Sequence, residues 1–200
     1  MLLSWARVAS ALQARASRRV TGVGRRAAVA LVLREGAGGL ELLFIRRADD
    51  PRDPWSGQIA FPGGRSEPRD ADLKATAIRE TLEETSVDLL RCGRFVGALD
   101  EVRAMARAQP FDLGISPFVF ALTAQAEALP GHEVGSVHWV SLERLTLGSA
   151  RSTAVQGAAG GGEFPCLKVE GLVIWGLTYR IFSDFQERLE IGGTSPRATE

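Results

Sequence analysis

Glu80, Glu83 and Glu84 stand in the run Arg79-Glu80-Thr81-Leu82-Glu83-Glu84. On a helix, spacings of three and four residues bring all three carboxylates to one side, where like charges repel. A divalent cation turns that repulsion into coordination. Clustered carboxylate oxygens suit hard ions such as Mg2+ or Mn2+, and Mg2+ is usually held by a few carboxylates together with substrate phosphates. The alternative is a solvated acidic face, which is the commoner fate of an isolated Glu-Glu pair. What favours chemistry here is the segment ahead of the helix, Phe61-Pro62-Gly63-Gly64, where glycines let backbone approach a ligand closely.

Positioning these residues requires a short strand, a tight loop and a helix in that order. The sequence predicts a strand over Gln58 to Phe61 and a helix from about Asp72 to Thr85, with Leu73, Ala77, Ile78 and Leu82 as its inward stripe. Upstream, the apolar runs Ala27 to Leu33 and Leu40 to Arg46 flank a Gly-rich break and form a hairpin. Asp49 to Gly57, with its two prolines, is a loop. Further strands are expected at Arg94 to Asp100, Ser116 to Leu122 and Ser136 to Val140, with a helical turn over Leu142 to Leu145. Gly157 to Gly162 is a flexible loop, Cys166 to Trp175 holds two extended pieces, and Leu177 to Leu189 is a closing helix. Short strands with helices before, between and after them imply an α/β (α+β) fold in which a mixed sheet lies between helices.

Composition narrows the function classes. The 200 residues suffice for one domain with a substantial core, and the formal net charge is zero. No global field argues for nucleic acid or an acidic membrane surface, and no apolar run suits a membrane span. Cys92 and Cys166 have no CxxC spacing, and His132 and His138 are isolated, so a zinc site and a disulfide framework are both disfavoured. A reduced, cytoplasmic setting follows. The first 34 residues lack Asp and Glu but carry Arg7, Arg15, Arg18, Arg19, Arg25 and Arg26 beside apolar residues. That pattern suits an organelle transit peptide, although an amphipathic helix over residues 1–25 packing on the domain is preferred. Residues 26–190 then form the single domain and 191–200 a mobile tail. Oligomeric state is open, with a homodimer as one option.

Phe61 to Val87 resembles a Nudix box. Gly64, Arg79, Glu80, Glu83, Glu84 and Val87 match its pattern. Asp70 stands where Glu is usual, with one extra residue before Arg79, and Thr81 and Ser86 replace an aliphatic residue and a glycine. None of these departures touches the acidic core. The resemblance implies an alpha-beta-alpha sandwich and hydrolysis of a diphosphate linked to another group. It places Glu80, Glu83 and Glu84 as metal ligands, with the Gly63 or Gly64 carbonyl completing the site. Arg79 either contacts phosphate or, as its planar fork suits, pairs with a carboxylate and fixes its rotamer. The base is Glu80 or a carboxylate from a distant loop, Glu133 first and Glu101 next, each weighed against a plain surface charge.

Arg47, Ala48, Arg52, Gly57 and the Phe61-Pro62-Gly63-Gly64 run resemble the signature of coenzyme A diphosphatases, with Phe44 and Ile45 in place of Leu and Thr and one extra residue between Arg52 and Gly57. Glu133-Val134 and Ile174-Trp175-Gly176-Leu177-Thr178 also look like that group. Arg47 and Arg52 would then clamp phosphate, their alternative being pairing with Asp49, Asp50 or Asp53. Trp55 and Trp175 are candidates to stack on adenine, though core packing is the commoner role of such rings. The substrate expected is coenzyme A or a thioester of it. The rivals are another nucleoside diphosphate derivative, such as ADP-ribose, NADH or a nucleotide sugar, and a non-catalytic nucleotide-binding module.

Overall fold

The computed structural model describes residues 4–50, 55–106, 109–147, 150–153 and 164–191. Arg52, Asp53, the Gly157 to Gly162 loop and the tail from Gly192 lie outside them. In chain order the elements are α1 (Trp5–Gln13), β1 (Arg26–Gly36), β2 (Gly39–Arg47), β3 (Ile59–Ala60), β4 (Gly63–Arg65), α2 (Leu73–Thr85), α3 (Leu89–Cys92) and β5 (Gly93–Ala98). There follow β6 (Val102–Ala106), β7 (Gln109–Leu122), β8 (Val134–Ser141), α4 (Leu142–Thr146), β9 (Arg151–Thr153), β10 (Pro165–Val169), β11 (Leu172–Trp175) and α5 (Gly176–Ile191).

β1 organises the molecule. It pairs antiparallel with β2 and β4 and parallel with β7, within a sheet ordered β3-β2-β1-β7-β5 to which β8 adds on β2 and β6 on β7. Successive strand residues point to opposite faces. Ala27, Leu31 and Leu33 therefore enter a core with Leu42 and Phe44 under α1 and α5, which contribute Val8, Leu12, Ile181, Phe182, Phe185 and Leu189. Ala28, Ala30 and Val32 face the other way, into a smaller core with Leu43, Ala77, Val87, Leu89 and Phe120. The alanines at 28 and 30 let α2 lie close against β1, which carries the acidic helix onto the sheet beside β4. The result is a mixed sheet between helices, as the sequence implies. β9, β10 and β11 make a second, three-stranded sheet.

Several boundaries differ from the sequence pattern. Gly63 and Gly64 belong to a strand, paired with Val29 and Ala28, rather than to a loop. β6 has no counterpart in the expected elements; it is the partner hairpin arm of β7, which itself begins well before Ser116. In α2 the inward residues are Thr76, Ala77, Thr81, Glu84 and Thr85, whereas Leu82 is 46% exposed. Polar residues can face inward because their hydroxyls find helix carbonyls: Thr81 Oγ1 donates to Ala77 O at 2.7 Å and Thr85 Oγ1 to Thr81 O at 2.6 Å.

The N-terminal helix spans Trp5–Gln13, not the whole of 1–25. Beyond it the chain leaves helical geometry because its arginines and amides are claimed by acids elsewhere. Arg15 reaches Asp100 at 3.0 Å and Asp184 at 2.9 Å, the Arg18 amide donates to Asp100, and the Val20 amide donates to Glu101. Arg188 of α5, almost wholly buried, ties the same cluster through Asp100 at 2.6 Å and the Arg15 carbonyl at 3.1 Å. Residues 14–26 are thus bonded into the domain edge, and their arginine richness has a structural use. No described helix is long and apolar enough to cross a membrane.

Candidate active site

Asp72 caps the N-terminus of α2, its Oδ1 accepting from the Ala75 amide at 2.7 Å, and Ser86 ends the helix in the left-handed region at φ 60. Gly is favoured there because any Cβ is strained, so the serine costs on the order of 1 kcal/mol. Between these ends, Arg79 is held from several directions. Its Nε and Nη2 donate to the two oxygens of Asp70 at 2.9 and 3.0 Å, and Nη2 also donates to Arg65 O at 3.1 Å. Its Nη1 donates to Glu80 Oε1 at 2.9 Å and to Glu83 Oε2 at 3.0 Å. Such a planar bidentate pair fixes geometry as well as charge.

Asp70 is the residue whose weight the sequence understates. Besides Arg79 it accepts from the Glu67 amide at 2.9 Å and the Thr76 hydroxyl at 2.9 Å. The Arg79 hydrogen bonds, overcoming the cost of burial, hold its carboxyl well below the usual carboxylate range. In return, Asp70 before Glu80 keeps the guanidinium protonated far beyond its ordinary range.

The glycines ahead of the helix meet its acids directly. The Gly63 amide donates to Glu84 Oε2 at 2.8 Å. Gly63 has φ 155, and a Cβ there would run into Ala28 O and Val29. A Cβ on Gly64 would run into the Glu80 carboxylate. Backbone atoms therefore require glycine at Gly63, where torsion requires it as well, whereas at Gly64 a side chain would displace only the end of the Glu80 side chain.

Glu84 is 7% exposed, and burial pushes its carboxyl up to about 7. The Gly63 amide and the Arg47 charge oppose that rise, while Glu80 and Glu133 add to it. Burial likewise raises Glu80, with Arg79 opposing and Glu83 and Glu67 adding. Glu83 is the most open of the three, its side chain 48% exposed and shared between Arg79 and Arg69.

The structure thus brings Arg79, Glu80, Glu83, Glu84, Gly63 and Gly64 together, with Arg47 and Glu133 near enough for their charges to act on Glu84. Arg47 ends β2, and the Glu133 carbonyl accepts from the next amide, Ala48 N, at 3.0 Å. Glu101 is elsewhere engaged. Burial opposes its charge, but the Ser116 hydroxyl, the Val20 amide and Arg26 prevail and hold it below the ordinary carboxylate value, so it is a structural anion rather than a loop base. Trp55 is 36% exposed, whereas Trp175 packs at 6.0 Å from Phe164. His132 is exposed, and His138 lies 2.7 Å from Ser136 Oγ with burial, then Arg46, keeping it below its usual value.

The donor chemistry fits a hard divalent cation. Two carboxylates whose ionised forms are disfavoured by burial lie in one another's field, and the glycine strand leaves them room. The fit is one of donor type, not of preformed geometry: among the described residues no group of three or more His, Cys, Asp or Glu converges at metal-holding spacing. Arg79 Nη1, between Glu80 and Glu83, occupies the role of counter-charge.

Comparison with known proteins agrees with this arrangement. Over 109 residues, 53% of this chain, the sequence is 40% identical to a stretch covering 33% of the uncharacterized protein C14C4.10c of Schizosaccharomyces pombe. Over 46 residues, 23% of each chain, it is 48% identical to the protein of Yersinia enterocolitica named uncharacterized Nudix hydrolase NudL. The matched stretches thus span a third or less of these relatives. The MutT/nudix family protein from Enterococcus faecalis shares the fold, with a TM-score of 0.53 at 15% identity over 94% of this chain and 70% of that one. The NUDIX domain model matches residues 24–158, a span that runs from the start of β1 through the acidic helix and past Glu133 and β8, and the chain belongs to that family.

Proposed function

We propose that the protein is a metal-dependent hydrolase that cuts the diphosphate of coenzyme A or its thioesters, releasing a phosphopantetheine product and adenosine 3',5'-bisphosphate. The observation that carries this reading is the buried Glu84 with the part-buried Glu80, seated against Gly63-Gly64 on a helix that Asp70 and Arg79 lock in place. Mg2+ or Mn2+ bound there supplies neutralisation of the diphosphate oxygens and acidification of a bound water. Glu80 and Glu84 are assigned as direct ligands, Glu83 as a direct or water-bridged one, and the Gly63 carbonyl as a further donor. Arg79 is assigned to orientation, since its five donors are spent on carboxylates and the Arg65 carbonyl. Glu133, exposed and acting on Glu84 electrostatically, is assigned as the group that takes the water proton. Arg47 and Arg52 are assigned to substrate phosphate, with Gly64 leaving space for it.

The coenzyme A preference rests on Arg47, Ala48, Arg52, Gly57 and the Phe-Pro-Gly-Gly run. Of the departures within that signature, the two substitutions do not bear on a ligand: Phe44 and Ile45 are 0% and 1% exposed, and Phe44 stacks on Phe61 at 4.9 Å, so both serve the core. A small-molecule diphosphate is the partner, and a reduced cytoplasmic setting is consistent with two unpaired thiols.

The test is a panel of coenzyme A, an acyl thioester, ADP-ribose, NADH and a dinucleotide, each with Mg2+ and with Mn2+, with products identified. Coenzyme A is expected to give kcat/KM at least about tenfold above ADP-ribose and NADH, the discrimination that a few specific phosphate contacts supply. Intact coenzyme A beside cleaved ADP-ribose or NADH would contradict the substrate assignment.

A further inference from the structure

Gly131 lies in the connection between β7 and β8, outside every element that carries the acidic cluster. Its amide donates to Glu84 O at 2.8 Å, and two residues earlier the Leu129 amide donates to Thr85 O at 2.9 Å. The connection therefore caps the last carbonyls of the acidic helix, which have no partner within it. At Gly131 the approach is so close that a Cβ would overlap Glu83 O and come within 3.1 Å of Glu84 Cα. Its φ is not in the left-handed region, so space alone calls for glycine here. Directly after this contact, Val134 N turns back to Gly131 O at 3.1 Å and Ala48 N donates to Glu133 O at 3.0 Å. Glu133 is thereby pinned between the end of the acidic helix and the end of β2, where Arg47 stands, and its charge acts on Glu84.

We propose that Gly131 is a positioning residue whose missing side chain sets the distance between Glu133 and the acidic helix. The inference rests on the proposed hydrolysis with Glu133 as the proton acceptor. A methyl at this place must push the connection off the helix, and a displacement of about 1 Å at a reacting group is enough to cost about a hundredfold in rate.

A double-mutant cycle tests it. In steady-state assays on the diphosphate that wild type cleaves best, Gly131→Ala is expected to lower kcat by about ten- to a hundredfold with KM changed less than about threefold. In a Glu133→Gln background the same change is expected to cost nothing further, because the group it positions is gone. Leu129→Pro removes one amide tether without adding bulk beside Glu83 and serves if Gly131→Ala does not fold. It is expected to lower kcat in the same direction, again only when Glu133 is present. Equal losses in both backgrounds, or an unchanged kcat, would overturn the role of Gly131 while leaving the hydrolase reading intact. A wild type that hydrolyses no member of the panel would overturn both.

Discussion

Glu84→Gln is expected to abolish most hydrolysis while making the metal-free protein more stable above neutral pH. The activity loss follows from the loss of a charged oxygen donor: several kcal/mol of charge stabilisation in the transition state corresponds to about a thousandfold in rate. The gain in stability follows from burial. In the folded chain the Glu84 carboxyl titrates near 7 against an ordinary value of 4.5. Between those values the folded state keeps a proton that the unfolded state has lost. The full stability is therefore present below about pH 4.5 and declines as pH rises through about 7, by up to about 3 kcal/mol. Glutamine carries no charge to desolvate, and its amide oxygen can still accept from Gly63 N. Thermal unfolding at pH 5 and pH 8 checks this. The variant is expected to gain on wild type as pH rises, and Mn2+ is expected to raise the Tm of wild type at pH 8 but not that of the variant. A variant with undiminished turnover would contradict the role assigned to Glu84.

Asp70→Ala is expected to be the most damaging single change outside the acidic cluster itself. Asp70 and Arg79 have side chains 5% and 14% exposed, so removal of the carboxylate strands a guanidinium that solvent reaches poorly. The pair lies close beneath the surface, which places the cost at the lower end for broken buried pairs, about 2–3 kcal/mol, or a Tm fall of about 4–12 °C for a chain of this size. A second effect falls on activity. With Asp70 gone, Arg79 is free to turn wholly onto Glu80 and Glu83, which it already contacts through Nη1. Loss of an orienting partner of this kind is worth about ten- to a hundredfold in metal affinity or rate. Differential scanning calorimetry and Mn2+ titration of the variant measure the two effects separately. An unchanged Tm together with unchanged Mn2+ affinity would show that the pair organises nothing.

The acidic cluster was legible in the sequence because its information is local. The spacing of Glu80, Glu83 and Glu84 and the glycines before them determine a helix face and a close backbone approach without reference to the rest of the chain. The hairpin of β1 and β2 and the closing helix were legible for the same reason, through period and turn residues. Other features depend on partners far away in sequence. Gly63 and Gly64 read as loop residues because a glycine strand has no side-chain period, and only pairing with Ala28 and Val29 makes them a strand. Leu82 read as core because apolar residues usually turn inward, yet Thr81 and Thr85 take that face by bonding their hydroxyls to helix carbonyls. The Arg-rich segment after Gln13 read as helix or as a targeting peptide, since nothing local reveals that Asp100, Glu101 and Asp184 wait for it. Asp70 was visible as a departure from the usual glutamate, although its four donors were not. Gly131 carried no signal at all, because its value lies in a contact with the Glu83 carbonyl nearly fifty residues away.

The most direct measurement is a crystal of the wild-type protein grown with Mn2+ and a non-hydrolysable diphosphate, with anomalous data collected at the manganese edge. The prediction is an anomalous peak about 2.0–2.2 Å from carboxylate oxygens of Glu80 and Glu84, with a diphosphate oxygen also bound and Glu83 turned from Arg79 toward it. Glu80 and Glu83 still paired to Arg79, with Glu84 on the Gly63 amide and no manganese between them, would contradict it.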